Sequence, residues 1–255
     1  MSRGYQQDFS SLHRGAMFNE QAKERKASTM LKILGHYFVD GDITCLSLLD
    51  VGASTGFIDN YLSQSFAEVR GIDIDDKAID YAANTFSSEN LHFQVGDAMS
   101  IEFPDNSFDV VVCSQVYEHV PDARKMMDEI YRVLKPEGVC YFAATNRLSI
   151  EEHHYNLPFL SVIPRPLGHL YLRLAGKGQY YYEKHLSYWG LKRLVSRFDI
   201  VDYSSKVIDD PEKFNAAYML QPGSRKHKLA QFIVEWIYWL CPGYLWLLKK
   251  PVKES

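Results

Sequence analysis

The chain has 255 residues, 46% of them apolar and 24% charged, and carries a net charge of −4. That balance belongs to a folded globular protein long enough for one sizeable α/β core, and it excludes disordered and collagen-like chains. The slight acidity gives no electrostatic reason to expect nucleic acid as a partner.

The four cysteines, Cys45, Cys113, Cys140 and Cys241, lack metal-ligand spacing. Three of them, Cys45, Cys113 and Cys140, fall in apolar strand-like runs as small core residues. The polar segment Met1–Ser11 has no apolar signal core, so a reducing, cytoplasmic setting is expected. Up to about Glu20 the chain is polar and without periodicity, and from Glu20 to Phe38 the spacing predicts a helix. Charges fill its first half, Met30, Leu31, Ile33, Leu34, Tyr37 and Phe38 crowd its second, and Gly41-Asp42 ends it. Residues 1–44 therefore read as an N-terminal helical cover packed on the sheet that follows.

Cys45 to Val51 is an apolar run that reads as a buried strand. It breaks into a loop bounded by Gly52 and Gly56, and a helix opens over Phe57–Leu62. Strand, tight loop and helix form the nucleotide-binding opening of a doubly wound sheet, whose ligands sit beyond the carboxyl ends of the strands. Asp50, at the strand's end, discriminates between ligands. A dinucleotide would bring an anionic pyrophosphate against that carboxylate, whereas S-adenosylmethionine (SAM) brings an ammonium and a sulfonium that suit it. The missing G-x-G-x-x-G also weighs against an NAD-type oxidoreductase.

The run Asp50-x-Gly52-x-x-x-Gly56 resembles the first motif of the class I SAM-dependent methyltransferases. It departs at Ser54, where that family usually has a third glycine. Glycine permits positive φ and close backbone approach, while serine keeps the amide but narrows the geometry. The resemblance implies that Gly52, Ala53, Ser54 and Gly56 hold the cofactor together with Asp50.

Glu68–Asp73 is a short second strand ending in a carboxylate, about twenty residues beyond the glycines, where a nucleotide-binding sheet places an acid for the ribose hydroxyls. Asp73 can accept from both hydroxyls, with Ile74 beside it; as a bland alternative it is a solvated strand end. Asp75 caps a helix through Asn84, with Ala78, Ile79, Ala82 and Ala83 facing inward. The third strand, Leu91–Val95, runs into Gly96-Asp97-Ala98. The resemblance implies that Asp97 accepts from the adenine amine and that the Ala98 amide meets the ring, although Gly-Asp also favours a plain turn.

Pro104–Ser107 turns into a nearly all β-branched fourth strand, Phe108–Ser114, buried on both faces. Asp122 caps the next helix, whose inner stripe is Met126, Met127, Ile130 and Leu134, and Lys135–Gly138 turns into a fifth strand, Val139–Thr145. Ser-Phe-Asp-Val-Val, Glu-His-Val-Pro-Asp and Leu-Lys-Pro-Glu-Gly, in that order, resemble the small-molecule branch of the family, which includes the ubiquinone and menaquinone methyltransferases; the likeness covers about Leu48 to Asn146.

The fourth strand's end faces the transferred methyl in that family, which implicates Ser114. The Ser114-Gln115-Val116-Tyr117 turn is not the Asn/Asp-Pro-Pro-aromatic turn of amino-group methylation. Only Glu118 of an arginine-methylating glutamate pair is present, and Cys113 follows Val112, not proline, against cytosine C5 chemistry. Some quinone O-methyltransferases hold a divalent metal with Glu-Val-x-Glu-His; here the first glutamate is Gln115, and hard cations prefer carboxylates, so no metal is expected. Glu118 and His119 are the best-placed titratable pair for a catalytic base, with a structural role for His119 as the alternative.

Beyond Asn146 the likeness weakens. Residues 147–186 read as an inserted acceptor cap or an aromatic structural cap, with Phe159, Leu167, Leu170, Tyr171 and Leu174 as its apolar surface. The pair His153-His154 has no further ligand at zinc spacing. A helix capped by Ser187 follows, then a sixth strand, Phe198–Lys206, and a seventh, Tyr244–Lys250. The apolar stretch Leu229–Leu240 between them reads as a helix and turn before a closing antiparallel strand, with an interfacial membrane anchor as the alternative.

The sequence thus specifies an α/β, Rossmann-like domain over residues 1–255. Its seven-stranded sheet is mostly parallel, with the last strand antiparallel and helices on both faces. The expected activity is SAM-dependent methyl transfer to a small or lipid-like acceptor, with peripheral membrane contact left open. A SAM-binding protein without catalysis is the rival reading.

Overall fold

The computed structural model describes residues 6–38 and 42–252; Met1–Tyr5 and Gly41, the latter expected to help end the first long helix, lie outside them. The sheet strands are β1 (Ser47–Val51), β2 (Glu68–Asp73), β3 (Leu91–Val95), β4 (Phe108–Ser114), β5 (Leu134–Thr145), β6 (Asp199–Asp202) and β7 (Gly243–Lys249). They lie in the order β3-β2-β1-β4-β5-β7-β6, and β7 runs antiparallel to both its neighbours.

Alternation along the strands divides the core into two clusters. In β4, Val111 and Cys113 point to one face while Val110 and Val112 point to the other, all of them fully buried. Leu49 and Val51 of β1 share the first face, and Leu48 the second. A strand buried on both sides gains from every side chain, on the order of 1.5–3 kcal/mol for each large aliphatic one, which is why β4 tolerates no polar residue between Val110 and Cys113.

Helices cover both faces. On the side of Val110 and Val112, α3 (Glu20–Tyr37) packs Met30, Ile33 and Leu34. On the other, α6 (Ala123–Val133) packs Met126, Met127 and Ile130, and α8 (Tyr188–Leu194) packs Leu191. Two of the caps read from sequence are present, Asp75 accepting from Ala78 at the start of α5 (Asp76–Thr85) and Asp122 from Arg124 and Lys125, whereas Ser187 makes no side-chain cap bond to α8; Asn19 caps α3 by accepting from Ala22.

Three expectations are corrected. Cys45 is exposed in a short 3-10 turn, Ile43–Cys45, which the Asp42 side chain holds by accepting from the Thr44 amide, so β1 begins only at Ser47. Strand β6 stops at Asp202, whose carboxylate accepts from the Ser204 amide and the Ser205 hydroxyl and turns the chain into helix α9 (Ser204–Asp209). In the inserted segment, α7 (Arg165–Leu174) buries Gly168 and Leu172, while Leu167, Leu170 and Leu174 face solvent.

Two four-residue helices, α1 (Phe9–Leu12) and α2 (Arg14–Met17), lie over the carboxyl end of the sheet. Side-chain bonds hold them there. The Ser10 amide and hydroxyl donate to Asp75, and the Thr55 hydroxyl donates to the Met17 carbonyl. Among the described residues no helix is long and apolar enough to cross a membrane.

Candidate active site

Strands β1 and β4 lead to connections on opposite sides of the sheet, and a crevice opens where they part, as expected for a doubly wound sheet. It encloses about 620 Å³, within the usual range for a small-molecule site. Of the residues expected to bind cofactor, Asp50, Gly52, Ala53, Ser54, Asp73, Ile74, Ala98 and Ser114 line it. Gly56 and Asp97 are not among the lining residues, though their chain neighbours Thr55, Phe57, Gly96 and Ala98 are.

The loop after β1 is shaped by backbone bonds. The amides of Gly52 and Ala53 both donate to the Ile72 carbonyl, at 2.8 and 3.0 Å. Gly52 has φ +93°, and a Cβ there would stand 2.6 Å from a Val116 methyl, so glycine is required twice over. Gly56 caps helix α4 (Phe57–Ser63) with φ +76°. Ser54 takes φ +52°, the left-handed conformation of the glycine it replaces, and its amide donates to Asp73 Oδ2 at 2.8 Å.

The Asp75 amide donates to the other Asp73 oxygen at 2.9 Å. Asp73 therefore has both oxygens oriented by backbone at the rim of the crevice. Ala98 and Gly96 present backbone to the same space, while Asp97 Oδ1 accepts from the Met99 amide at 2.6 Å and shapes the turn.

The floor is acidic and poorly hydrated. Burial, then the neighbouring Asp73 charge, raises the Asp50 carboxyl to about 7, against the pull of Lys23. Burial and Asp50 push the Asp59 carboxyl far above its ordinary range, and neither of its oxygens has a hydrogen-bond partner. Burial lowers the Lys23 ammonium to about 8, opposed by Asp50, Asp59 and Asp73. A buried carboxylate with Lys23 nearby suits a ligand carrying both positive and negative groups, and the size of the crevice fits SAM.

The opposite wall comes from β4's end and from the chain's two flanking segments. Gln115 takes φ +60° directly after β4, and its Oε1 accepts from the Thr145 hydroxyl at 2.8 Å. His119 lines the crevice, with Nδ1 2.7 Å from Gln6 Oε1. Glu118 is fully buried behind His119 and off the lining, its carboxyl raised by burial against the opposing charges of His185 and His154.

From the inserted segment only His153 and His154 reach the crevice; Phe159, Leu167, Leu170 and Tyr171 do not. The expectation that this histidine pair lacks ligand neighbours fails in space, because His154 stands with Glu152 and His185 on one side and with Glu118 and His119 on another. Sequence reasoning also missed Phe9, His13, Met17, Lys23 and Lys26, all at the crevice. Lys23 and Lys26 lie in the charged first half of α3, where nothing local sets them apart from Glu24 and Arg25.

A family model for a methyltransferase domain matches residues 49–142. Demethylmenaquinone methyltransferase of Lactococcus lactis is 35% identical over 49% of this chain and 52% of its own length. The enzyme of that name from Staphylococcus aureus is 32% identical over 62% of this chain and 68% of its own. The chain thus spans about half the length of the first curated relatives it matches, and two thirds of the staphylococcal one. Among solved structures, an S-adenosylmethionine-dependent methyltransferase from Mesorhizobium loti superposes with TM-score 0.54 at 14% identity, covering 82% of this chain and 93% of that one. The chain belongs to the class I SAM-dependent methyltransferases.

Proposed function

We propose that this member of the family moves a methyl group from SAM to a small ring-bearing acceptor of quinone or lipid-like character. The observation that carries the reading is the pair Asp50 and Asp73, which end adjacent parallel strands and line one crevice with the glycine-bounded loop. When bound, SAM supplies a methyl on a positively charged sulfur, already activated for displacement.

This chain's residues then have positioning work to do. Asp73 would accept from the ribose hydroxyls with its remaining lone pairs, and the turn Gly96–Ala98 would take the adenine end, with Asp97 fixing that turn. Asp50 and the amides of Gly52–Ser54 would hold the methionine end, with Lys23 as the cation for its carboxylate. Ser114 and Gln115 stand at the strand end that faces the acceptor. Among the crevice histidines, His119, at the end of the turn after β4, is the best placed to take a proton from an acceptor hydroxyl, with His13, His153 and His154 nearby. Glu118, walled off from the crevice, would act through its charge on the histidines beside it. Residues 6–38 would cover the cofactor side and residues 147–186 the acceptor side, shutting out water.

The names of the two relatives support a quinone-like acceptor. A surface feature supports meeting it at a membrane. Helix α10 (Arg225–Trp236) exposes Leu229, Phe232 and Trp236 along one stripe, with Arg225, Lys226 and Lys228 at its start. Co-sedimentation with anionic vesicles should be lost in a Phe232→Ser/Trp236→Ser double variant; equal sedimentation would remove this part of the reading.

Calorimetric titration with SAM and with NADH tests the cofactor, and tritiated methyl transfer into demethylated quinones tests the reaction. SAM should bind and NADH should not, and label should enter the quinone fraction. SAM binding with no label in quinone, phenol or lipid fractions would mean a SAM-binding protein without this activity.

A further inference from the structure

The geometry points to a divalent-cation site in the inserted segment, formed by Glu152, His154 and His185, suited to zinc or a similar first-row ion. It uses neither Gln115 nor Glu118 of the turn after β4, where the resemblance raises the question of a metal, although His154 also approaches Glu118 and His119 on its other side.

The three residues converge from two places in the chain. Glu152 ends the first strand of a small hairpin, in which Glu151-Glu152 pairs with Leu157-Pro158, and His154 lies in the hairpin's turn, while His185 comes from the far end of the segment. Glu152 is oriented before any ligand arrives. Its Oε2 accepts from the amides of His154 and Tyr155, at 2.9 and 3.0 Å, which turns Oε1 toward the imidazoles. Oε1 stands 2.6 Å from His154 Nδ1 and 3.2 Å from His185 Nε2. Zinc bonds of about 2.0–2.1 Å set tetrahedral ligands roughly 3.3 Å apart, so the His185 contact already fits and the Glu152–His154 pair, at 2.6 Å, would open by roughly 0.7 Å to admit the ion. Two imidazoles and one carboxylate are a donor set that borderline divalent ions prefer.

Burial and charge point the same way. Glu152 and His185 are 1% and 6% exposed, and Glu118 and Glu183 are buried in the same layer. Glu152 pairs with histidines, as does Glu183, which meets His119 at 3.9 Å; one Glu183 oxygen has no hydrogen-bond partner. Glu118, Glu152 and Glu183 thus gather buried carboxyl groups around the histidines, a setting in which a divalent ion finds oxygen ligands and offsets their charge. The fixed Oε2 resembles the outer hydrogen bonds that orient metal-bound carboxylates. His154 also lines the crevice, so the ion would cross-link the hairpin to His185 and keep an open position toward the acceptor side.

The experiment uses the full chain, stripped with EDTA and titrated with Co²⁺ and then Zn²⁺, followed by absorption and calorimetry. One equivalent should bind with micromolar or tighter affinity, with a cobalt spectrum typical of nitrogen and oxygen ligands, and melting temperature should rise with Zn²⁺. Glu152→Gln and His185→Asn should each weaken binding by at least a hundredfold, while Glu118→Gln should retain it. No binding to the unaltered chain at 100 µM (roughly a hundred times the weakest affinity expected here) overturns the site, and that result needs no variant to fold. Loss in Glu118→Gln with retention in His185→Asn overturns the ligand set. SAM titration of the same samples is read separately, so failure of the metal site and failure of the cofactor reading are distinguishable.

Discussion

The backbone amide of Ser54 donates to Asp73 Oδ2 at 2.8 Å from a residue whose φ is +52°. The loop after β1 and the end of β2 are locked together by a residue in a conformation that L side chains seldom take. Left-handed backbone in a non-glycine residue stores on the order of 1–3 kcal/mol, and here it is spent on orienting a carboxylate that faces the crevice.

Ser54→Gly should relieve that strain while freeing the unfolded chain by about 0.4–1 kcal/mol. The two effects oppose each other, so melting temperature should move by only a few degrees and SAM affinity by less than about threefold. Ser54→Val places a β-branched side chain at the same φ and should lower stability by about 1–3 kcal/mol. Thermal denaturation beside calorimetric SAM titration separates the two variants. Equal behaviour of Gly and Val would mean that the backbone at this position is not strained.

Asp73→Ala removes an acceptor of two backbone amides as well as the proposed ribose contact. Loss of a hydrogen bond to a charged group costs about 1.5–3 kcal/mol, so SAM should bind roughly ten- to a hundredfold more weakly, with a lower melting temperature. Asp73→Asn keeps one oxygen for an amide and should recover part of the stability. Undiminished affinity in the alanine variant would sink the ribose assignment.

Asp50 gives a dependence on pH. Its carboxyl is raised to about 7, first by burial and then by Asp73. Below that pH the group is neutral and attracts no cation; above it, the carboxylate is present to meet one. A cationic ligand therefore displaces a proton on binding near neutrality, and SAM affinity should fall as pH drops through 7, by up to about tenfold per unit. Calorimetry in buffers of different ionisation enthalpy should register the proton release. Asp50→Asn should bind weakly and flatten the profile. An unaltered slope in that variant would assign the titration elsewhere.

The sheet was legible because its signals are local. Acids closing successive strands at Asp50, Asp73 and Asp97, two-faced burial in β4 and caps at Asp75 and Asp122 each depend on a few neighbouring residues. The cover and the inserted segment were less legible because their contacts are distant. Residues 6–17 have no periodicity, and they are held by bonds such as Ser10 to Asp75, 65 positions away. The apolar stripe of α7 suits either an acceptor cap or an aromatic structural cap in sequence, yet Leu167 and Leu170 face solvent and Leu172 anchors the helix. His154 and His185 are 31 positions apart, beyond any spacing rule, and only the fold brings both to Glu152.

The last prediction turns on the proton of His119. Its Nδ1 lies 2.7 Å from Gln6 Oε1, and Gln6 Nε2 lies 3.3 Å from Glu183 Oε1. A carboxylate only accepts, so Glu183 fixes the Gln6 amide with its nitrogen outward and its oxygen toward the histidine. Nδ1 must then carry the proton and donate, which leaves Nε2 as the basic nitrogen. His119→Ala should reduce turnover by roughly 10²–10⁴, the range for loss of a general base, while SAM affinity barely moves. Gln6→Ala should act more mildly, by about tenfold, through loss of the fixed tautomer. Its signature should be a displaced acid limb in the pH profile of kcat with KM for SAM unchanged, and Gln6→Asn should not restore it, because the shorter side chain cannot span His119 and Glu183. If His119→Ala loses thermal stability and activity in equal proportion while the Gln6 variants keep the original pH profile, His119 holds the loop after β4 in place and the base must be sought among the other residues of the crevice.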